Sequence, residues 1–271
     1  MFLRLCVLIL TLGVLMATAI SAQDKETDKT KTTETKPDKN KPVDPANLTA
    51  EQVAESTVFV YGGILGRQNL TQIRKTTFER GKLIQTAADG RKNTANYERY
   101  VLRGETLDKE KIRLDQAFPD ARFSLIYNND KVYGLYNATV FTPREDASKA
   151  FQNQIWHSIE SLLRYKENES KIELVKREKV MGVDYYVLEL SDKQQRKTTY
   201  YVSVKSLRVM MLDYESDGIK YRRKFYDYNY AQGTLVPYRS VLWANDKEAE
   251  ETTVGTVTFG QKIEENLFDV S

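Results

Sequence analysis

Residues 225–243 read FYDYNYAQGTLVPYRSVLW. Two alternating runs flank Gln232-Gly233, a pair that favours a tight turn. In the first run, period two puts Tyr226, Tyr228 and Tyr230 on one face of a strand, with Phe225, Asp227 and Asn229 on the other. Pro237 falls near the start of the second run, where a missing N–H is tolerated. The stretch therefore predicts a long hairpin forming part of a sheet wall. Alternation alone leaves open whether the three tyrosines face the protein interior or solvent, because a parity change exchanges the faces wholesale.

The same period extends outward in both directions. TTFERGKLI, NYERYVLRG, RFSLIYN, KVYGLYN, DYYVLEL, TTYYVSV, RVMMLDYE, YRRKFYDYNY, VPYRSVLW and TVGTVTFG all alternate. Turn signals separate many of them: Asp89-Gly90, Asn128-Asn129-Asp130, Met181-Gly182 and Ser216-Asp217-Gly218. About ten antiparallel strands are predicted, enough for accumulated twist to curl the sheet.

Two segments break the pattern with helical spacing. Thr49-Ala50-Glu51-Gln52 is a capping box, followed by Val53, Val60, Ile64 and Leu65, with Gly62, Gly63 and Gly66 at the end. Residues 143–166, PREDASKAFQNQIWHSIESLLRYK, predict one long helix. Pro143 suits its first turn, and Phe151, Ile155, Ile159, Leu162 and Leu163 form one stripe. The fold class is α+β, mainly antiparallel β, with helices across one face of a curled sheet that encloses an apolar space.

Residues 1–22 read as a secretory signal peptide: Arg4, an apolar run over 5–16, then small residues at 17–22. Cys6 lies near the start of that run and follows Leu5, so it makes a poor lipid-attachment site. Without the signal the chain has no cysteine, which excludes disulfides, thiolate metal sites and a cysteine nucleophile. Residues 23–48 are polar, charged and free of aromatics, and predict a disordered linker before a domain over 49–271.

Enzyme chemistry is scarce. His157 is the single histidine, so a histidine-rich metal site is excluded, and it reads as structural. No G-x-S-x-G elbow, phosphate loop or dinucleotide glycine pattern occurs. Glu248, Glu250 and Glu251 read as a solvated loop in WANDKEAEET. No catalytic residue, metal or cofactor is expected. Charge is nearly balanced, 41 Lys+Arg against 38 Asp+Glu, with no basic block to suit nucleic acid.

The order of these pieces resembles the outer-membrane lipoprotein-sorting proteins, the family of the periplasmic lipoprotein carrier and its outer-membrane receptor. The resemblance covers residues 50–271. It runs through VFVYGGILGRQNLTQIRKTTFERGKL, RFSLIYNNDKVYGLYN, SLLRYKENESKIELVKREKVMGVDYYVLELS, YYVSVKSLRVMMLDYE, KFYDYNYAQGTLVPYRSVLW and the closing VTFGQKIEENLFDVS. Ser203 departs from the family, where an aspartate often follows the valine.

That resemblance implies a half-open β-barrel whose helices cover its mouth, and an apolar cavity for the acyl chains of a lipoprotein or another lipid. It implies an exported, soluble protein of a Gram-negative-type periplasm, with envelope membrane proteins as further partners. Inward alternation then assigns Phe78, Tyr100, Leu102, Leu125, Leu188, Met210, Leu212, Val241, Trp243 and Phe259 to the cavity wall. Phe151, Ile155, Ile159 and Leu163 form the lid. Two alternatives stay open at this point: an envelope sensor or scaffold using the same fold, and a structural protein with a filled barrel.

Overall fold

The structure, a computed structural model, describes residues 48–270 apart from residues 88 and 138. Contacts divide the chain into two units, Met1–Pro42 and Val43–Ser271. The signal peptide over 1–22 and all but the last residue of the linker lie outside the described residues.

Among the described residues, thirteen strands form one antiparallel sheet. In chain order they are β1 (Thr76–Thr86), β2 (Lys92–Leu102), β3 (Lys111–Ala117), β4 (Arg122–Asn128), β5 (Lys131–Tyr136), β6 (Thr139–Phe141) and β7 (Lys171–Val180). They continue with β8 (Val183–Ser191), β9 (Lys197–Ser203), β10 (Val209–Ser216), β11 (Ile219–Ala231), β12 (Thr234–Ala244) and β13 (Lys247–Phe259). The spatial order is β6-β5-β4-β3-β2-β1-β13-β12-β11-β10-β9-β8-β7, so only the β1/β13 contact joins strands distant in sequence. Both ends of the order are free, which makes the curled sheet an open half-barrel, not a closed one.

Three strands are additional to the ten expected. β7 is an edge strand rich in Lys and Glu, charges that guard an edge but weaken its apolar alternation. β6 is an edge of three residues. β3 carries only Ile112 and Leu114 as large apolar residues, too few to stand out alone.

Glycines bend the sheet where its two halves join. Register shifts between Arg80 and Gly81, with Gly255 unpaired opposite. A Cβ on Gly81 would lie 2.0 Å from the Thr253 carbonyl oxygen, so the strands approach this closely only around a glycine.

Among the described residues, four α-helices lie on one face: α1 (Ala50–Gly62), α2 (Gly66–Ile73), α3 (Glu145–Trp156) and α4 (Ile159–Leu163). The Thr49 capping box forms as expected, with Gln52 Oε1 accepting from Thr49 N and Thr49 Oγ1 from Gln52 N. α1 ends at Gly62, and α2 follows it and leads into β1.

The long helix expected over 143–166 is two helices. The chain turns extended at Ser158, which caps α4 by accepting from Ser161 N at 3.2 Å. His157 leaves the helix and is buried: its ring stacks on Tyr214 with centroids 4.0 Å apart, and Nδ1 shares a 2.7 Å hydrogen bond with Thr198 Oγ1. These partners on β9 and β10 hold the break open.

The apolar core has two main bodies under these helices. One packs α1 and α4 on β8–β12 through Val53, Val58, Tyr61, Leu162, Leu188 and Leu212. The other packs α3 on β1–β4 through Phe151, Ile155, Leu83, Ile112, Leu114 and Tyr127.

The opening stretch folds as the expected hairpin, but its tyrosines do not share a face. Asp227 sits at φ 53°, the left-handed region, in mid-strand. Alternation resets there. Phe225 enters the core and Tyr226 lies on the opposite face under the Arg239 guanidinium. Past Asp227, Tyr228 turns inward and its hydroxyl meets that of Tyr61 on α1 at 2.9 Å. Tyr230 is exposed.

Candidate functional site

A cavity of about 260 Å³ opens between the two core bodies. Its roof is the break between α3 and α4, from Ile155 to Glu160. Its floor is the middle of the sheet. On β1, Thr77, Glu79 and Leu83 point in; on β2, Tyr97, Arg99 and Val101; on β3, Ile112 and Leu114; on β13, Glu250, Thr252, Val254, Val257 and Phe259. Register explains the set. Rows such as Phe259–Thr77–Val101–Ile112 and Val257–Glu79–Arg99–Leu114 run straight across paired strands, so their side chains share one face.

These rows fix the parity of the residues assigned from sequence. Of the ten assigned to the cavity wall, Phe259 lines it. Leu125, Leu188 and Leu212 lie on the same face but are packed into the core. Six occupy the other face. Phe78 and Tyr100 stack there with centroids 5.1 Å apart, and Leu102 follows their parity. Met210 joins Met211, Tyr185 and Val187 in an outer cluster, because the register shift between Val209 and Met211 turns it out. Val241 pairs with Lys224, and Trp243 lies under the Lys224 ammonium 4.9 Å away. Among the four lid residues, Ile155 and Ile159 face the cavity, while Phe151 and Leu163 pack into the two cores.

Sequence reasoning missed the charge in this wall. Four arginines and four glutamates line the cavity: Arg74, Arg99, Arg103 and Arg223, with Glu79, Glu110, Glu160 and Glu250. Glu250 is among them, although its surrounding sequence predicts a loop. It lies within β13, is buried, and pairs with Arg223 at 3.1 Å. The loop is only Asn245-Asp246, two residues with positive φ. Neither neighbour of Glu250 in the charge-rich stretch is in the cavity: Glu248 pairs with Lys92 and Glu251 with Arg239.

Most of these charges are held in place. Glu110 accepts from Arg164, whose other donors reach the carbonyls of Gly104 at 2.7 Å and Glu105 at 3.0 Å. Burial pushes the Glu110 carboxyl up to about 7, against the pull of Arg164. Glu160, at the start of α4, is paired with Arg74 and lies 3.7 Å from Arg103. Burial acts to raise it too, but Arg74, Arg103 and Arg164 together outweigh that and hold it at about 2. A third of the Glu160 side chain remains accessible, consistent with the ionised form. Glu79 accepts from the Tyr97 hydroxyl at 2.7 Å.

Burial lowers His157, at the roof, to about 4, and Arg196 nearby adds to the effect. It is neutral near pH 7, and its Nδ1 is occupied by Thr198. Among the described residues no group of three or more His, Cys, Asp and Glu could hold a metal ion, and no helix is long and apolar enough to cross a membrane.

No protein-family model and no curated protein matches the chain. Solved structures do match its fold. A putative outer membrane lipoprotein-sorting protein domain from Vibrio parahaemolyticus aligns with TM-score 0.56 at 16% identity, covering 80% of this chain and 97% of that one. A DUF1329 family protein from Desulfovibrio piger aligns with TM-score 0.58 at 12% identity, covering 84% and 98%. A LolA superfamily protein from Nitrosomonas europaea aligns with TM-score 0.57 at 14% identity, covering 83% and 99%. The half-barrel with helices on its concave face is thus the fold of lipoprotein-sorting domains.

Proposed function

We propose that this protein is a binding and carrier protein for acyl chains, of a lipoprotein or another lipid, in the periplasm of a Gram-negative-type cell. The observation that carries this reading is the cavity roofed by the α3/α4 break. Its apolar lining includes Leu83, Val101, Ile112, Leu114, Ile155 and Val257, in rows shared with Glu79 and Arg99. The likeness of fold to lipoprotein-sorting domains supports the same reading. Each methylene taken from water into such a wall contributes about 0.8 kcal/mol. Six to eight of them yield on the order of 5–6 kcal/mol, enough for capture without chemistry.

The roof suits loading and release. α4 has five residues, and its start is held by the Ser158 cap and by His157 against Thr198. Moving α4 would uncover Ile159 and widen the cavity, and would lift Leu162 and Leu163 out of the core they share with β8–β12.

Two measurements test the proposal together. Solvent extraction of the purified protein followed by mass spectrometry should yield lipid. An apolar fluorescent probe should bind the delipidated protein. Val101→Trp should block the probe while leaving the far-ultraviolet circular dichroism unchanged, because Val101 is half-buried and faces open space. No extracted lipid combined with no probe binding would sink the proposal.

A further inference from the structure

The cavity contains one charged side chain that no hydrogen bond or ion pair holds among the described residues. Arg74 serves Glu160 and the Leu235 carbonyl, Arg103 serves Glu160 and the Leu70 carbonyl, and Arg223 serves Glu250 and Ser240. Arg164, just behind the wall, serves Glu110. Four glutamates are thereby engaged, three by arginines and Glu79 by the Tyr97 hydroxyl. Arg99 is left. Among the described residues it makes no hydrogen bond or ion pair, and its Nε is buried without a partner.

Its position makes this costly. Arg99 lies in mid-strand on β2, half-buried. Its cross-strand neighbours are Leu114 on β3 and Glu79 on β1, and Val101 follows it on the same face. Glu79 is directly opposite but forms no ion pair with it. The guanidinium gives up part of its hydration there, and Glu79 opposite and Glu110 beyond act on it only at longer range, with no hydrogen bond in return. Surface placement one residue along the strand would have avoided the cost.

We infer that Arg99 anchors the head of the ligand, receiving the carboxylate of a single-chain amphiphile whose tail lies along Val101, Ile112, Leu114 and Val257. The planar guanidinium offers two parallel N–H donors that match a carboxylate. The inference rests on the acyl-chain reading of the cavity and narrows its ligand class to free fatty acids. An acyl chain esterified to a protein or glycerol presents no carboxylate to Arg99.

The test compares cis-parinaric acid with its methyl ester on purified, delipidated protein, by fluorescence titration. The two share one chain, and the ester replaces the charged carboxylate by a neutral head one methyl larger. A charge-assisted bidentate pair predicts the acid to bind roughly ten- to hundredfold tighter than the ester. Arg99→Gln should remove that margin by weakening the acid far more than the ester, and Arg99→Lys should keep part of it. Equal affinities in the unmodified protein would overturn the anchor while leaving the acyl-chain reading intact. So would an Arg99→Gln variant that keeps the full margin. Failure of both probes to bind would instead refute the acyl-chain reading. The comparison of acid with ester in the unmodified protein decides the matter even where a variant does not fold.

Discussion

Arg164→Met removes one partner of a buried ion pair, and the structure sets the size of the effect. The Arg164 and Glu110 side chains are 1% and 8% exposed. Loss of the arginine leaves the buried Glu110 carboxyl without its hydrogen-bonded partner, a change that costs about 3–5 kcal/mol. It also strips the Gly104 and Glu105 carbonyls of a donor. Urea unfolding at pH 7.5, followed by tryptophan fluorescence, should show stability lower by about 4 kcal/mol. With a slope of about 2 kcal/mol per molar, the midpoint falls by about 2 M.

The double variant Arg164→Met/Glu110→Leu should recover more than half of the loss, because the buried charge is gone and only the two carbonyls stay short. The pH dependence has a definite sign. Glu110 has its folded value raised to about 7 from an ordinary 4.5, so the folded state keeps a proton that the unfolded chain has released. Stability from this group is present below about 4.5 and is lost as pH rises towards 7. Removing Arg164 pushes the carboxyl further up. The deficit of the single variant should therefore shrink between pH 7.5 and pH 5. A single variant that loses less than about 1 kcal/mol, or a double variant no more stable than the single, would refute the argument.

His157 acts in the opposite direction. Its folded value is lowered to about 4 from 6.5, so the protein loses up to about 3 kcal/mol as pH falls through that window. The stability gap between the unmodified protein and His157→Gln should narrow from pH 7 to pH 4, and a constant gap would contradict neutral burial. Gly81→Ala places a methyl against the Thr253 carbonyl and should cost about 3 kcal/mol or more, read as a fall in melting temperature. A melting temperature within a degree of the unmodified protein would show that the β1/β13 contact is looser than described.

Local signals were read well where chain neighbours fix them. The Thr49 cap needs only Gln52 three residues on, and it forms. The hairpin after Tyr230 needs only Gln232-Gly233, both at positive φ. Signals that depend on remote partners were not readable. The helix over 143–166 has an unbroken apolar stripe, yet it breaks at His157 because Thr198 and Tyr214, forty and more residues later, take the imidazole. The run of tyrosines at 226, 228 and 230 divides because Asp227 takes a left-handed conformation that no neighbouring residue announces.

The charged wall of the cavity was hidden for a related reason. Arg99 sits in NYERYVLRG among residues typical of a solvated strand. Its parity with Tyr97 and Val101 was visible, but not that this parity faces inward.

By itself the sequence determined the class of fold: alternation over most of the chain, turns between the runs, and two helical segments. These follow from interactions within a few residues. Tertiary structure decided which face of each strand is inside. A strand has two faces of equal local standing, and only helices packed from elsewhere in the chain distinguish them. Six residues assigned to the cavity therefore lie outside it, while an arginine assigned to no role stands within it beside Leu114 and Val101.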